Sequence, residues 1–384
     1  MKETILYQKL PKNKVRCGVC QRRCLITDGQ QGYCKTRINK GGKLYSTIYG
    51  IVSSVNLDPI EKKPVFHFKP GSGCLSLGTY GCNFRCLFCQ NWQIAHANMA
   101  SLNLDGQKLL SPKEAIKMAL KSNAQGIAIT YNEPAIWLEY SLDIFRLAKK
   151  GWVAQNKRVT RVGARPEGSL RGGPPKRVPF TGVFGGKRAA GPVTNLYTIW
   201  VTNGYATPEA IDIIAPYLDV YRVDLKSFDD RFYQKLINIP KAKPVFETTK
   251  YVHQKYPHIH IECITNIIPT WNDKPKNLVA IARWIKENLG PKIPWHVTRF
   301  YPDAELTNVP PTPPETLFQA REIGLKQGLK FVYIGNMPVE KEDDTTCPKC
   351  GNLAIRRTGY LTEILGVEKD GTCTDCGEDL NIKM

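Results

Sequence analysis

Residues 74–89 read CLSLGTYGCNFRCLFC, and they join a strand signal to a cysteine motif. The apolar run Cys74–Thr79 has the length and composition of a buried strand. Three cysteines follow it with the spacing CxxxCxxC, at Cys82, Cys86 and Cys89. Thiolates on one short loop can bind three irons of a [4Fe–4S] cluster and leave the fourth iron without a protein ligand.

The cysteine spacing alone allows two other interpretations. The loop could be a zinc knuckle completed by a distant residue, or it could hold an ordinary cluster with a fourth cysteine such as Cys74. The position of the loop favours catalysis, because loops at the carboxyl ends of parallel strands carry the chemistry in barrel enzymes.

Further β-branched runs alternate with amphipathic helices after this loop. They predict strands at Gly126–Tyr131, Leu196–Thr202, Val220–Leu225, Ile259–Ile268, Trp295–Phe300 and Lys330–Ile334. Such alternation is typical of βαβ crossovers and an α/β fold with a parallel sheet, either open or curled into a barrel. We favour a partial barrel. Helix starts are indicated by capping patterns at Ser111-Pro-Lys-Glu114, Thr207-Pro208 and Thr312-Pro-Pro-Glu315.

Composition divides the chain into three regions and one insertion. We expect a Cys-rich N-terminal region over residues 1–70, a barrel over 71–340 and a small C-terminal module over 341–384. Residues 151–195 contain nine Lys or Arg, one Glu, nine Gly and five Pro, and they show no apolar period. They indicate a flexible basic insertion in a helix-to-strand connection. We favour an inert loop over a tether for RNA or another polyanion.

Two more cysteine sets lie at the two ends of the chain. The C-terminal CxxC pairs, Cys347 with Cys350 and Cys373 with Cys376, have the spacing of a four-thiolate zinc ribbon, and a rubredoxin-like iron site is the alternative. The N-terminal spacings suit a small zinc site or an auxiliary iron–sulfur cluster equally well; this set comprises Cys17, Cys20, Cys24 and Cys34. Cys263 lies in an apolar strand and is expected to be a buried thiol.

The motifs GCNFRCLFCQN, TYNEP, VTNGY, DLKSFDD and IIPTWND occur in this order. In these motifs the chain resembles the radical S-adenosylmethionine (radical SAM) superfamily, and within it the relatives of the pyruvate formate-lyase activating enzyme. The N-terminal cysteine arm with GYCKTR, the segments PWHVTRFYP and VYIGN, and the C-terminal CPKCG and CTDCG resemble the AmmeMemoRadiSam-system radical SAM enzyme. This resemblance spans nearly the whole chain outside 151–195 and implies a partial (β/α)6-type radical SAM barrel.

The resemblance also implies an activity and its cofactors. Cys82, Cys86 and Cys89 would bind a [4Fe–4S] cluster whose open iron chelates S-adenosylmethionine. One electron, from a reductant such as flavodoxin or ferredoxin, would cleave it to methionine and a 5′-deoxyadenosyl radical that abstracts hydrogen from a protein or a small molecule. Phe88 matches the aromatic position that packs on adenine, with simple core packing as its alternative.

Polar residues at the next two strand ends match other cofactor-binding positions. Asn132 and Glu133 stand where the family has a glycine-rich motif ending in Gly-Glu. Glu133 is thus a candidate partner of the methionine ammonium, or else an acid at a helix start. Thr202 and Asn203 match the segment near the ribose, and a simple turn is the alternative.

The fourth strand ends in Asp224 and Lys226, which alternation places on one face as an inward-facing pair or a structural one. Asn272-Asp273 resembles the family's ND turn, although Thr270-Trp271 stands where glycine is usual. His296 is either a buried, hydrogen-bonded histidine or a catalytic one.

The net charge and the search for a signal peptide or membrane helix bear on the cellular location of the protein and on its possible functions. The net charge is +20, of which residues 151–195 supply +8. No membrane helix or signal peptide is indicated, so we expect a cytoplasmic protein with reduced thiols. The leading hypothesis is a radical SAM enzyme of unknown substrate. The alternatives are a radical SAM enzyme that modifies RNA and a non-catalytic, nucleic-acid-binding zinc protein.

Overall fold

Six short strands build two antiparallel sheets near the N-terminus of the computed structural model, which describes residues 1–98, 102, 109–150 and 195–384. The strands are β1 (Lys2–Glu3), β2 (Tyr7–Leu10), β3 (Lys14–Cys17), β4 (Leu25–Ile26), β5 (Arg37–Lys40) and β6 (Lys43–Ser46). Their orders are β1–β6–β5 and β2–β3–β4. The sequence did not indicate these strands, because segments of two to four residues are too short to show an alternating pattern.

The strands predicted after residue 70 form one central sheet. It begins with β7 (Ser54–Pro59), which is antiparallel to its neighbour, and continues with seven parallel strands. These are β8 (Gly73–Gly78), β9 (Gly126–Ile129), β10 (Tyr197–Thr202), β11 (Val220–Asp224), β12 (His260–Ile267), β13 (Trp295–Arg299) and β14 (Val332–Gly335). All seven predicted parallel strands are therefore confirmed, and each of their ends agrees with the prediction to within two residues.

The order of the strands determines the shape of the sheet. It runs from β7 to β14 without a reversal, and β7 and β14 are the edge strands among the described residues. Since parallel crossovers are right-handed, an order that always advances in one direction places the connecting helices on one face. The other face becomes the interior of a partial barrel. This arrangement agrees with the predicted α/β class and with the prediction of a partial barrel.

The described helices connect these strands. They are α1 (Trp92–Ala95), α2 (Pro112–Lys121), α3 (Leu138–Lys149), α4 (Pro208–Ile214), α5 (Asp230–Phe232), α6 (Lys243–Lys255), α7 (Pro275–Asn288) and α8 (Pro314–Lys326). Ser111 and Thr207 cap α2 and α4 as predicted. The prediction for Thr312 was wrong: its hydroxyl donates to Ile267 O at 2.6 Å and accepts from Phe300 N at 2.9 Å, so it links the ends of β12 and β13 instead.

A buried carboxylate closes the barrel at the amino ends of β12 and β13. Glu262 is fully buried and accepts hydrogen bonds from Phe66 N and His67 N, both at 2.8 Å. Its oxygens also lie 3.0 Å from His260 Nε2 and 2.7 Å from His296 Nε2. Although burial favours the neutral acid, these histidine contacts hold the pKa of Glu262 well below its usual range. This network forms the floor of the barrel.

The C-terminal module packs against this floor. Its strands β15 (Thr345–Thr346), β16 (Leu353–Thr358) and β17 (Leu361–Ile364) form a three-stranded antiparallel sheet. Arg357 donates to Phe66 O at 2.9 Å, and its guanidinium lies 4.0 Å from the Phe66 ring centroid. Lys383 N donates to His67 O at 2.8 Å. The module is thus attached to the end of the barrel opposite the cysteine loop.

The predictions of a basic insertion and of no membrane helix can be compared with the described residues only. The predicted basic insertion, residues 151–195, lies outside the described residues except for Asn195. No helix among the described ranges has the length and apolar character needed to cross a membrane.

Replacing Glu262 by Ala should lower the free energy of unfolding by about 3–5 kcal/mol at pH 7, because four buried donors lose their acceptor. The folded-state pKa of Glu262 is depressed, so this stabilisation is complete above its unfolded value of 4.5 and is lost as the pH falls through the folded one. The difference between wild type and variant should therefore shrink below about pH 4.5. Urea unfolding at several pH values measures it.

The matched control is Glu247→Ala, which removes an exposed carboxylate from α6. We expect it to change the unfolding free energy by no more than about 0.5 kcal/mol. An equally small effect of Glu262→Ala would contradict the role of the floor network.

Candidate active site and metal centres

The carboxyl ends of β8 to β11 lie side by side at one edge of the sheet, because these strands are parallel neighbours. The cysteine loop follows β8, and Glu133 follows β9. Thr202 and Asn203 lie at the end of β10, and Asp224 and Lys226 at the end of β11. The structure thus brings the residues predicted from these four strand ends to one edge.

The cysteine loop is fixed by backbone contacts. Arg85 N donates to Ile237 O at 3.1 Å and Leu87 N to Leu236 O at 2.9 Å, and both acceptors lie in the π-helical turn Tyr233–Ile237. On the other side, Leu87 O accepts from Glu305 N and Leu306 N, each at 2.8 Å. A loop held from both sides can present its cysteines in a fixed arrangement.

The three cysteine side chains lie together on one loop and can serve as metal ligands. Cys82, Cys86 and Cys89 are all partly buried, and their sulfur atoms do not all lie within 4.8 Å of one another. A tetrahedral zinc site with Zn–S bonds of about 2.3 Å requires sulfur–sulfur distances of about 3.8 Å. A wider arrangement of soft thiolate donors suits the irons of a cluster.

A lysine lies beside these thiols. Burial raises the pKa of the Cys86 thiol to about 12, and the Lys226 ammonium acts in the opposite direction. Lys226 Nζ donates to Asp224 Oδ2 at 2.7 Å and lies 5.7 Å from the Phe88 ring centroid. Burial disfavours the charged lysine, but Asp224 and Cys86 outweigh burial and raise the pKa of Lys226. The loop therefore has a cation next to its thiols.

Phe88 is 7% exposed, and its ring centroid lies 6.0 Å from that of Phe232. It packs in the core and also faces the Lys226 ammonium, so both interpretations of Phe88 are compatible with its position.

Glu133 is 1% exposed and joins two strand ends. Its carboxylate accepts hydrogen bonds from Ala135 N at 3.0 Å, from Thr202 Oγ1 at 2.9 Å and from Asn203 N at 2.8 Å. It therefore starts the 3-10 helix Pro134–Trp137 and also links β9 to β10. Burial raises the pKa of Glu133 to about 7, and these hydrogen bonds offset only part of that effect.

Two asparagines tie the cysteine loop to the neighbouring strand ends. Asn132 Nδ2 donates to Thr79 O at 2.9 Å and to Gly81 O at 2.7 Å, at the start of the loop. Asn203 Nδ2 donates to Asn83 Oδ1 at 2.7 Å, inside the loop. Both asparagine side chains thus use their amide groups for hydrogen bonds within the protein, and these bonds hold the cysteine loop in position.

Sequence reasoning missed two residues of this site. Arg222 forms an ion pair with Asp224, and its Nε is buried without a partner among the described residues. Alternation along β11 would have placed Arg222 on the same face as Asp224 and Lys226. Asn83 lies within the cysteine motif itself, is fully buried and has an amide nitrogen that lacks a partner in the described part of the chain.

Other candidates lie elsewhere. Cys74 is fully buried at the start of β8 among Ile60, Val65 and Phe68, at the opposite end of that strand from the loop, so it is not a fourth ligand. Cys263 is fully buried in β12, as expected. His296 belongs to the floor network.

Asn272 is fully buried, and its side chain links two strand ends. It donates to Lys226 O at 2.7 Å and to Asn266 O at 2.9 Å, and it accepts from Ile268 N at 2.6 Å. The turn that resembles the ND motif therefore connects the ends of β11 and β12.

The four C-terminal cysteines form a compact metal-binding group. Cys347 Sγ lies 3.6 Å from Cys376 Sγ, and Cys350 Sγ lies 3.7 Å from Cys373 Sγ. All four sulfurs lie within 4.8 Å of one another, which no other His, Cys, Asp and Glu set of the described residues achieves with three or more ligands. These distances match the edge of a tetrahedral four-thiolate site.

The four N-terminal cysteines are also brought together, but differently. Cys17, Cys20, Cys24 and Cys34 line one cavity beside the active-site cysteine loop. They do not form a group as compact as the C-terminal one.

The chain is similar to several known proteins. The family model described as the radical SAM superfamily matches residues 76–284. An uncharacterized protein of Methanocaldococcus jannaschii is 36% identical over 385 residues, which cover all of both chains. The isethionate sulfite-lyase activating enzyme of Desulfovibrio desulfuricans is 29% identical over 85 residues, 22% of this chain and 27% of that enzyme.

Among solved structures, a radical SAM methyltransferase from Sphaerobacter thermophilus superposes with a TM-score of 0.45 and 15% identity. The superposition covers 70% of this chain and 67% of that one.

Replacing Cys347 and Cys350 together by Ser should remove about one metal ion per chain and make residues 341–384 sensitive to protease, because a module this small folds around its metal. Metal analysis and limited proteolysis measure both effects. Cys263→Ser is the matched control, since it changes a buried cysteine outside the group. A double variant with the metal content and protease resistance of the wild type would contradict the assignment of this metal site.

Proposed function

Because this chain belongs to the radical SAM superfamily, we propose that it cleaves S-adenosylmethionine reductively at a [4Fe–4S] cluster bound by Cys82, Cys86 and Cys89. Such a cluster, when bound, supplies the electron that releases methionine and a 5′-deoxyadenosyl radical for hydrogen abstraction. Membership of an enzyme superfamily is inconsistent with the non-catalytic alternative.

One observation carries the proposal. The three-cysteine loop lies at the carboxyl edge of the sheet and is hydrogen-bonded to the next two strand ends, through Asn132 to Gly81 and through Asn203 to Asn83. A metal site that served only to stabilise the fold would not require this set of strand-end contacts. Fixed positions of the polar groups around a reacting centre are what catalysis requires.

The residues of this edge have separate parts in the proposal. Lys226 lies beside the cysteines, where its positive charge stabilises thiolates and an anionic cluster. Glu133 has a raised pKa, and no described residue provides a cation at hydrogen-bond distance, so the ammonium of S-adenosylmethionine would complement it. Phe88 offers an aromatic face next to the loop for adenine. Thr202 and Asn203 orient Glu133 and border the place assigned to the ribose.

We further propose that the reaction is of the activating-enzyme type, in which the radical is passed to a partner. The support is the similarity over 85 residues to the isethionate sulfite-lyase activating enzyme. A one-electron reductant of the flavodoxin or ferredoxin class would supply the electron. The alternative of RNA modification is suggested by the net positive charge and the C-terminal cysteine group, but much of that charge lies in residues 151–195.

For the C-terminal group we propose a structural zinc ion. Four thiolates at tetrahedral distances leave no open coordination position, so the site has no place for a substrate. Its attachment to the barrel floor, away from the cysteine loop, supports the same role.

The protein reconstituted anaerobically with iron and sulfide should form 5′-deoxyadenosine and methionine from S-adenosylmethionine and dithionite. Replacing Cys82, Cys86 or Cys89 by Ala should abolish this, because each removes one of three cluster ligands. Chromatography of the products measures it, and Cys263→Ala should retain the activity. Turnover in any of the three ligand variants would refute the assignment. Deuterium uptake from heavy water into 5′-deoxyadenosine would show that the abstracted hydrogen is exchangeable.

Replacing Glu133 by Gln should weaken S-adenosylmethionine binding by about 10- to 150-fold, because a charge-assisted hydrogen bond contributes about 1.5–3 kcal/mol. Equilibrium binding to the reconstituted protein measures it. Thr202→Val is the matched variant: it removes one hydrogen bond to Glu133 but keeps the charge, so its effect should be much smaller. Unchanged affinity in Glu133→Gln would mean that Glu133 only starts the helix.

A further inference from the structure

The N-terminal cysteines line a cavity made from three pieces of chain. Cys17 ends β3, Cys20 and Cys24 lie in the turn that follows, and Cys34 precedes β5. The cavity is partly open to solvent. Four cysteines with no disulfide that share one cavity are candidate metal ligands.

The spacing of these sulfurs differs from that of the zinc-type group in the same molecule. In the C-terminal group all four sulfurs lie within 4.8 Å of one another, with two contacts of 3.6 and 3.7 Å. No three of the N-terminal sulfurs meet that limit. The loop Cys82–Cys89 does not meet it either. The N-terminal set therefore resembles the cluster loop of this chain and not its single-ion site.

The charges around the cavity favour an anionic occupant. Two arginines line it, and no Asp or Glu does. Arg37 is buried and its charge is shared with Glu139, at 2.9 Å. Arg22 donates instead to two carbonyl oxygens, Asn83 O at 2.6 Å and Asn238 O at 2.5 Å. Its positive charge stays available to the anionic assembly that four thiolates and a bound metal centre form.

The cavity also has a hydrogen-bond donor for sulfur. Asn83 lines it and is fully buried, and its amide nitrogen has no partner in the described ranges. A buried N–H group without an acceptor costs free energy. A thiolate or bridging sulfide would satisfy it.

We propose that Cys17, Cys20, Cys24 and Cys34 bind a second iron–sulfur cluster, adjacent to the one assigned to Cys82–Cys89. The two sites share a wall. An ideal Cβ on Gly81 would lie 2.8 Å from Cys34 O, so the backbone before Cys82 touches the backbone of the N-terminal set. Asn83, the residue after Cys82, lines the second cavity. Two clusters on either side of this wall would be neighbours, and their spins would be expected to couple when both are reduced.

The test is the iron and sulfide content of the full-length chain, reconstituted with iron, zinc and sulfide all present. Wild type should contain about eight irons and eight acid-labile sulfides. The Cys82/Cys86/Cys89→Ala variant should keep about four of each. Adding Cys20→Ala and Cys24→Ala to that variant should remove them, whereas adding Cys263→Ala should not. Zinc should stay at about one per chain throughout.

The result that overturns the proposal is a triple variant with about two zinc ions per chain and no sulfide, or one with no metal beyond the C-terminal site. The wild-type count decides the matter even where the five-cysteine variant fails to fold, since about four irons there would also overturn it. These readouts do not require cleavage of S-adenosylmethionine, so the inference stands or fails independently of the proposed reaction.

Electron paramagnetic resonance tests the proximity. The spectrum of the fully reduced wild type should differ from the sum of the spectra of the Cys82/Cys86/Cys89→Ala and Cys20/Cys24→Ala variants, because neighbouring spins couple. A spectrum equal to that sum would show that the two clusters are not adjacent.

Discussion

The carboxylate of Glu133 lies where β9, β10 and the cysteine loop meet, and the geometry of this edge depends on it. Its hydrogen bonds come from Ala135 N, Thr202 O–H and Asn203 N, all of them neutral donors. Neutral donors offset only part of the cost of removing a carboxylate from water, which is why burial raises the pKa of Glu133 to about 7. Glu133 therefore has donors suited to a carboxylate, but among the described residues no cation lies within hydrogen-bond distance of it.

The contrast with Glu262 separates a functional carboxylate from a structural one. Glu262 is also fully buried, yet its histidine contacts hold its pKa well below the usual range. Its surroundings are complete, and it faces the C-terminal module instead of an open edge. At the amino ends of the strands, the partners of Glu262 offset the cost of burying its charge. At the carboxyl ends, the partners of Glu133 offset only part of that cost. A buried carboxylate whose partners offset only part of its burial cost favours the binding of a cation, such as the ammonium group of a ligand.

The sequence determined the central sheet more clearly than its surroundings. Strands such as Ile259–Ile268 were predictable because both of their faces are buried, which gives continuous apolar runs. The site residues at the strand ends were predictable from motifs that follow those runs. Thr312 was misread because its hydroxyl bonds to two strands that are distant in sequence, and no local pattern encodes that choice. Arg222 was overlooked because an arginine within a strand reads as a solvent-facing residue until the barrel places it inside.

Gly81 shows why the N-terminal region and the cysteine loop belong to one unit. Its φ of +84° is in the left-handed region, and a side chain there would come within 2.5 Å of Thr36 Cγ2 and 2.8 Å of Cys34 O. Its N–H donates to Ile94 O, and its carbonyl accepts from Asn132. One glycine thus contacts the N-terminal cysteine arm, the segment after the loop and the end of β9. Because metal binding is coupled to the folding of the ligand loops, a metal bound at either cysteine set would restrain the backbone beside the other set through this contact.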